Sequence, residues 1–107
     1  MQAIQILQGL ITDGCKSEDI RNQIRFLENH PEMVTGLTGE NLWYFLGLLQ
    51  HVIEEDRVEQ VWESALNIVD FCRERVKTVE DAKTCRRWSY LRISLVLFTS
   101  ACRRARS

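Results

Sequence analysis

Apolar residues recur at helical spacing along most of the chain, and no alternation typical of a β-strand persists beyond a few residues. Only one proline and five glycines occur, so long stretches lack residues that break helices. This pattern predicts an all-α fold, a compact bundle of about five helices that forms a single domain over residues 1–107.

The first two predicted helices have clear ends. The first covers Gln2 to Asp13 and stops at Gly14, a residue type common just after a helix. The second begins at Ser17, a typical N-cap residue. It ends at His30, because the residue before a proline is driven out of helical geometry. A short helical turn is expected to follow, before Gly36.

Two further helices follow in the middle of the chain. The third opens at Thr38, and the fourth is predicted over residues 58–72. The acidic run Glu-Glu-Asp at 54–56 is interpreted as the solvated start of the fourth helix, where the helix dipole favours negative charge. The apolar stripes predicted to form the core are Ile4, Leu7 and Ile11; Ile20, Ile24 and Leu27; Leu42, Phe45, Leu46, Leu49 and Ile53; and Val58, Val61, Trp62, Ala65, Leu66, Val69 and Cys72.

The fifth segment differs from the others. Thr78 with Asp81 resembles a capping box that opens it. From Leu91 to Phe98 nearly every position is apolar, which predicts a helix surrounded on most sides at the centre of the bundle. Arg92 lies inside this run and needs a carboxylate, a ring of carbonyls or a route to the surface, since a lone buried charge is costly. The candidate acidic partners are Glu40, Glu54, Glu55, Glu59 and Asp70.

Charge is unevenly distributed along the chain. The net charge is only -1, so the protein as a whole has no strong attraction to nucleic acid or to a membrane. From Lys77 onward there are eight Lys/Arg and two Asp/Glu, a net charge of +6, whereas the first 76 residues carry -7. This asymmetry predicts a basic face that suits an acidic protein partner.

The four cysteines form no C-x-x-C pair and lack the close spacing of zinc ligands. They are interpreted as free thiols of a reducing compartment, which together with the absence of a signal peptide predicts a cytoplasmic protein. No apolar run approaches the roughly 20 residues that a transmembrane segment needs. No metal and no cofactor is expected.

Enzymatic chemistry has little support in the sequence. His30 and His51 are the only histidines, and no H-E-x-x-H, G-x-S-x-G or phosphate-binding glycine loop occurs. Nucleic-acid binding is a minority alternative: Trp88 and Tyr90 offer stacking surfaces, but the net charge is unfavourable. The arginines on which that alternative depends are Arg86, Arg87, Arg103, Arg104 and Arg106.

Three stretches in order carry a resemblance to a known family. They are "LQGLITDGCK" at 7–16, "LWYFLGLL" at 42–49 and "SYLRISLV" at 89–96. Together they resemble the RUN domain, an all-helical module of effectors and regulators of Rab- and Rap-type small GTPases. Leu91 and Arg92 match the third block, and Tyr90 takes its aromatic position. Asp13 and Trp88 depart from the family, which usually has histidine and arginine there.

The resemblance implies a non-enzymatic protein-interaction module that binds small GTPases or adaptors in vesicle traffic, peripheral on endomembranes through its partners. The candidate partner-binding residues are Lys83, Arg86, Arg87 and Arg92. RUN domains usually continue for several more helices, so a form lacking its C-terminal helices would expose Leu95, Leu97 and Phe98. The alternative is a structural helical domain that associates with another helical protein or with itself as a homodimer.

Overall fold

The computed structural model describes residues 2–56, 59–78 and 82–106, and the Cα radius of gyration is 13.1 Å. Within these ranges the chain forms seven α-helices, one 3-10 turn and no strand, which confirms the all-α prediction. The elements are α1 (Gln2–Thr12), α2 (Ser17–Asn29), α3 (Glu32–Thr35), α4 (Gly39–Asp56), the 3-10 turn Glu59–Val61, α5 (Trp62–Phe71), α6 (Arg73–Thr78) and α7 (Ala82–Arg106).

The end of α1 is closed by a Schellman motif around Gly14. Gly14 and Cys15 both have left-handed backbones, with φ of 87° and 55°. The Cys15 N–H donates to the Leu10 carbonyl at 2.9 Å, and the Gly14 N–H donates to the Ile11 carbonyl at 3.1 Å. These two bonds satisfy carbonyls that the helix end leaves unpaired, and glycine adopts the required φ without steric cost. The predicted stop at Gly14 is confirmed.

Helix α2 begins and ends close to the predicted positions. Ser17 is its first helical residue, so the N-cap position falls to Lys16, which makes no side-chain capping bond. Glu18 and Asp19 lie in the first turn, where the helix dipole favours carboxylates. The helix stops at Asn29, before the His-Pro pair, and the expected short turn follows as α3.

The middle of the chain contains the main departures from the prediction. The acidic run 54–56 ends α4 and does not open the next helix, because α4 continues one full turn beyond Val52. The single helix predicted over 58–72 is instead the 3-10 turn followed by α5, and α6 starts at Arg73. Splitting this region raises the helix count above five. Val58 and Asp81, and with Asp81 the proposed capping box, lie outside the described residues.

The core is formed chiefly by α1, α2, α4, α5 and α7. Helix α4 packs between α1 and α7, and α5 packs between α2 and α7. All predicted stripe residues of α2 and α4 are buried, whereas Ile11, Trp62 and Leu66 are only partly buried. The largest fully buried side chains are Phe45, Leu7, Ile20, Ile24, Leu27, Leu42, Leu46, Leu49, Ile68, Leu95, Val34 and Val52.

Helix α7 lies at the edge of the bundle, and its expected central position is wrong. Leu91 and Leu95, four residues apart, are buried against the body. Tyr90, Ile93 and Leu97 point the other way and are 57%, 58% and 58% exposed. The apolar run therefore supplies two opposite helix faces, of which only one is covered. We call Tyr90, Ile93 and Leu97 the α7 stripe.

The expected exposure at the end of the chain holds in part. Of the three residues expected to be exposed, Leu97 is exposed, but Leu95 is fully buried and Phe98 is half-buried. The Phe98 ring lies 4.8 Å from the Trp62 ring, centroid to centroid, so α5 covers it.

Candidate partner-binding surface on helix α7

The first turns of α7 place two cations over one aromatic ring of α4. Lys83 Nζ lies 4.6 Å and Arg87 Cζ lies 4.1 Å from the centre of the Trp43 ring. Arg87 also donates from Nη1 to the Trp43 carbonyl at 3.1 Å. Each cation is attracted to the negative face of the ring, and the hydrogen bond fixes the guanidinium. We call Trp43, Lys83 and Arg87 the Trp43 cation cluster.

Gly47 makes the space that this cluster occupies. It lies four residues after Trp43 and therefore on the same side of α4. A Cβ atom at position 47 would be 2.5 Å from Arg87 Nη1 and 3.0 Å from its Cζ. The guanidinium thus rests where a side chain would otherwise stand. A glycine inside a helical pattern was the sequence signal for this site, since it costs helix stability unless packing requires it.

Two of the cations at the start of α7 are exposed to solvent. Lys83 Nζ is 3.9 Å from Glu40 Oε1, and the two side chains are 44% and 89% exposed, so solvent screens the pair. Arg86 is exposed and makes no hydrogen bond or ion pair with any residue in the described part of the chain. A positive surface therefore remains at the start of α7.

Arg92 is separate from this surface. Its Nε donates to Asp70 Oδ1 at 2.9 Å, so one of the five predicted acidic partners is confirmed. The expectation of a buried pair is wrong, because the Arg92 and Asp70 side chains are 34% and 39% exposed. Nine residues separate Arg92 from Lys83, which places them about 180° apart around the helix.

The Arg92 side of α7 joins it to α5. The Trp88 indole N–H donates to the Val69 carbonyl at 2.8 Å, and the Arg92 guanidinium lies 6.0 Å from the Trp88 ring centre. The two helices are thus connected by the pairs Arg92–Asp70 and Trp88–Val69. The structure gives Arg92 a role in the fold and brings together only Lys83, Arg86 and Arg87 among the four candidate residues.

The two aromatic residues invoked for nucleic-acid binding lie on different sides of α7. Trp88 is half-buried and hydrogen-bonded to α5, so its ring is not presented for base stacking. Tyr90 is exposed, and Arg86 and Arg104 are exposed on the same side of α7. The side chains of Arg103 and Arg106 lie outside the described residues.

Two groups in the described part of the chain, Glu32 and Cys72, have a shifted pKa. His30 Nδ1 lies 3.0 Å from Glu32 Oε1 at the surface. The backbone N–H of Glu32 and the His30 ring lower the pKa of the Glu32 carboxyl. Burial raises the pKa of the Cys72 thiol to about 12, so it stays protonated at neutral pH and unreactive as a nucleophile.

The cysteines remain separate and are free thiols, two of them buried. Across residues 2–56, 59–78 and 82–106, no three His, Cys, Asp or Glu side chains are grouped closely enough to hold a metal ion. In the same ranges, no helix is both long and apolar enough to span a membrane.

Trp43, Gly47 and the first two members of the α7 stripe were missed by sequence reasoning. A helical projection of residues 82–106 places Tyr90 and Ile93 beside Arg86, which was the available signal for the stripe. Gly47 signals close packing on α4, but no comparable signal shows that α7 is the helix that packs there, because that depends on how distant segments pack. Comparison with protein-family models, with curated proteins and with solved structures finds no match to this chain.

Proposed function

We propose that this protein is a non-enzymatic interaction module that binds an acidic surface of a partner protein through the start of α7. The observation that carries the proposal is the group of three cations at Lys83, Arg86 and Arg87. Two of them lie over the Trp43 ring, and the third is exposed with no partner among the described residues. Cations held in place lose less conformational freedom on binding, which favours affinity.

The charge of the whole helix supports an acidic partner. Residues 82–106 contain seven Lys/Arg and no Asp/Glu, whereas residues 1–76 carry a net charge of -7. Among the described residues, Arg92 is paired with Asp70 and Lys83 with Glu40. A basic helix on an acidic body orients the approaching partner, because complementary potentials steer encounter and fix register.

The resemblance to a RUN domain makes a Rab- or Rap-type small GTPase, or an adaptor of vesicle traffic, the first partner class to test. In this proposal the protein is cytoplasmic and reaches endomembranes through that partner. Of the three blocks that carry the resemblance together, the one with Leu91 and Arg92 lies on α7, and the cations that would contact the partner lie one to two turns earlier on the same helix.

The test is a pull-down of purified small GTPases, each loaded with GDP or a non-hydrolysable GTP analogue, on the immobilised protein. We expect at least one GTPase to be retained in a nucleotide-dependent manner and to be lost with Arg86→Glu. Arg25→Glu, an exposed charge reversal on α2, is the matched control and should retain binding. Binding that survives Arg86→Glu would contradict the proposed surface, and a panel with no retained member would remove the GTPase class.

The α7 stripe favours one alternative, self-association. Exposed apolar surface drives association, and a homodimer is a common way to cover it. Two α7 helices face to face through this stripe would, however, bring Arg86 and Arg104 of each chain together with no acidic residue of α7 between them. A monomer mass by light scattering at high protein concentration supports the acidic-partner proposal, and a stable dimer supports the alternative.

A further inference from the structure

The α7 stripe has the spacing of a helix-packing seam. Arg86, Tyr90, Ile93 and Leu97 are separated by four, three and four residues, the alternation that keeps side chains on one line along a helix. At about 100° per residue these four and Arg104 fall within a sector of roughly 60°. The α7 stripe is therefore bounded by Arg86 at one end and Arg104 at the other, and all five side chains belong to the exposed face of α7.

We infer that the α7 stripe is the docking site for an acidic amphipathic helix of another protein. Apolar residues of that helix, spaced three and four apart, pack on Tyr90, Ile93 and Leu97, and its carboxylates approach Arg86 and Arg104. The inference rests on the proposed function only in taking the protein as an interaction module, and it does not require the partner to be a GTPase.

The distance between Arg86 and Arg104 sets the length of the partner helix. Arg86 and Arg104 are 18 residues apart, about 27 Å at 1.5 Å per residue. A partner helix of about five turns matches this length, with acidic residues near both ends and apolar residues in the two middle turns. The Trp43 cation cluster lies beside Arg86, so the positive potential is stronger at that end of the stripe. We therefore expect more acidic residues at the end of the partner helix that contacts Arg86.

Charge argues against a second copy of this chain as the occupant. In either a parallel or an antiparallel α7 pair, the arginine at each end of one stripe faces an arginine of the other. Like charges placed together across an interface cost free energy, whereas carboxylates at the same positions contribute charge-assisted hydrogen bonds. The seam therefore selects a helix of opposite charge.

The shape of the apolar surface argues against a membrane as the occupant. Helices that lie in a bilayer interface present a broad apolar face, whereas this one is a narrow line of three side chains.

The test uses a displayed library of random 20-residue peptides biased to helix, selected on the full chain. A selected peptide is then titrated by fluorescence anisotropy against the native protein, Leu97→Asp and Phe26→Asp. Phe26 is the matched control, because it is a large apolar side chain, 42% exposed, on α2. Circular dichroism melting of all three proteins checks that each is folded.

We expect the enriched peptides to be acidic, with apolar residues three and four apart. Leu97→Asp should weaken binding by at least about tenfold, the effect of losing a central interface residue, and Phe26→Asp by less than about twofold. Replacing the peptide's Glu and Asp residues with Gln and Asn should weaken binding, because the attraction to Arg86 and Arg104 is lost. The difference in affinity between the parent and the replaced peptide should grow as the salt concentration is lowered.

Four results would overturn the inference: enriched peptides that are neutral or basic, equal binding to Leu97→Asp, a dimer that Leu97→Asp dissociates, or binding to vesicles of phosphatidylcholine and phosphatidylserine that Leu97→Asp removes. Failure of the GTPase panel alone leaves the docking site standing. Loss of peptide binding in Leu97→Asp with retained GTPase binding shows that the two surfaces act separately.

Discussion

Helices α4 and α7 are both long and rich in apolar residues, yet they contribute to the protein in opposite ways. In the 18 residues of α4, six apolar side chains are buried, and Tyr44 is the one large apolar side chain exposed among the described residues of that helix. In the 25 residues of α7, the buried apolar side chains are Leu91 and Leu95, while the three residues of the stripe are exposed.

The difference comes from the number of neighbours around each helix. Helix α4 lies between α1 and α7, so apolar residues on two sides find partners. Helix α7 packs on α4, α5 and α6 with one side only. An apolar run therefore does not by itself indicate burial, and on α7 the uncovered side carries residues suited to binding, a line of apolar side chains bounded by arginines.

The largest effect should come from the buried side of α4. Phe45 is fully buried, so Phe45→Ala leaves a cavity and should lower the free energy of unfolding by about 3–5 kcal/mol. Tyr44→Ala, on the adjacent exposed position, should cost less than about 1 kcal/mol. Urea denaturation of both variants measures the contrast. Similar losses from both would mean that α4 is not packed on two sides as described.

A smaller effect is expected where α7 contacts α5. Arg92→Ala removes the bond to Asp70, and because both side chains are a third or more exposed, the loss should be about 1 kcal/mol, well below that of a buried pair. Arg92→Lys should be intermediate, since lysine lacks the planar guanidinium. Thermal melting and peptide binding are measured on the same proteins. Lost binding with unchanged stability would return Arg92 to the binding surface.

A substitution at the contact between α4 and α7 is expected to leave stability unchanged or to raise it slightly. Gly47→Ala gives α4 a better helix former, worth up to about 1 kcal/mol, and displaces only the flexible end of Arg87. We expect unchanged or slightly raised stability together with altered Trp43 fluorescence and weaker partner binding. Trp62 and Trp88 are replaced by phenylalanine in both proteins so that Trp43 reports alone. A clear loss of stability would show that the contacts of Arg87 with Trp43 stabilise the fold by more than the added methyl group stabilises helix α4.

Much of the fold follows from local sequence features. The repeat of Ile20, Ile24 and Leu27 fixed the buried side of α2, and Gly14 fixed the end of α1, because both signals act within a few residues. The binding surface follows less directly. Arg86 was identified from charge alone, but the place of Arg87 depends on Trp43 and Gly47, about 40 residues earlier in the chain.

The fifth segment shows where local reasoning failed. The run from Leu91 to Phe98 has the composition of a surrounded helix, and only the packing of α4 and α5 on one side shows that half of it stays exposed. Arg92 was assigned a buried carboxylate for the same reason. Asp70 is indeed its partner, but the pair lies at the margin of the α5–α7 contact.

The central claim is that one side of α7 stabilises the fold while the other is free to bind, and two leucines on that helix test it directly. Leu95 is fully buried, and Leu97, two residues later, is 58% exposed. The free energy of unfolding is measured by urea denaturation for Leu95→Ala and Leu97→Ala at two protein concentrations. We predict a loss of about 2–5 kcal/mol for Leu95→Ala and less than about 0.5 kcal/mol for Leu97→Ala, at both concentrations. Equal losses would contradict the account.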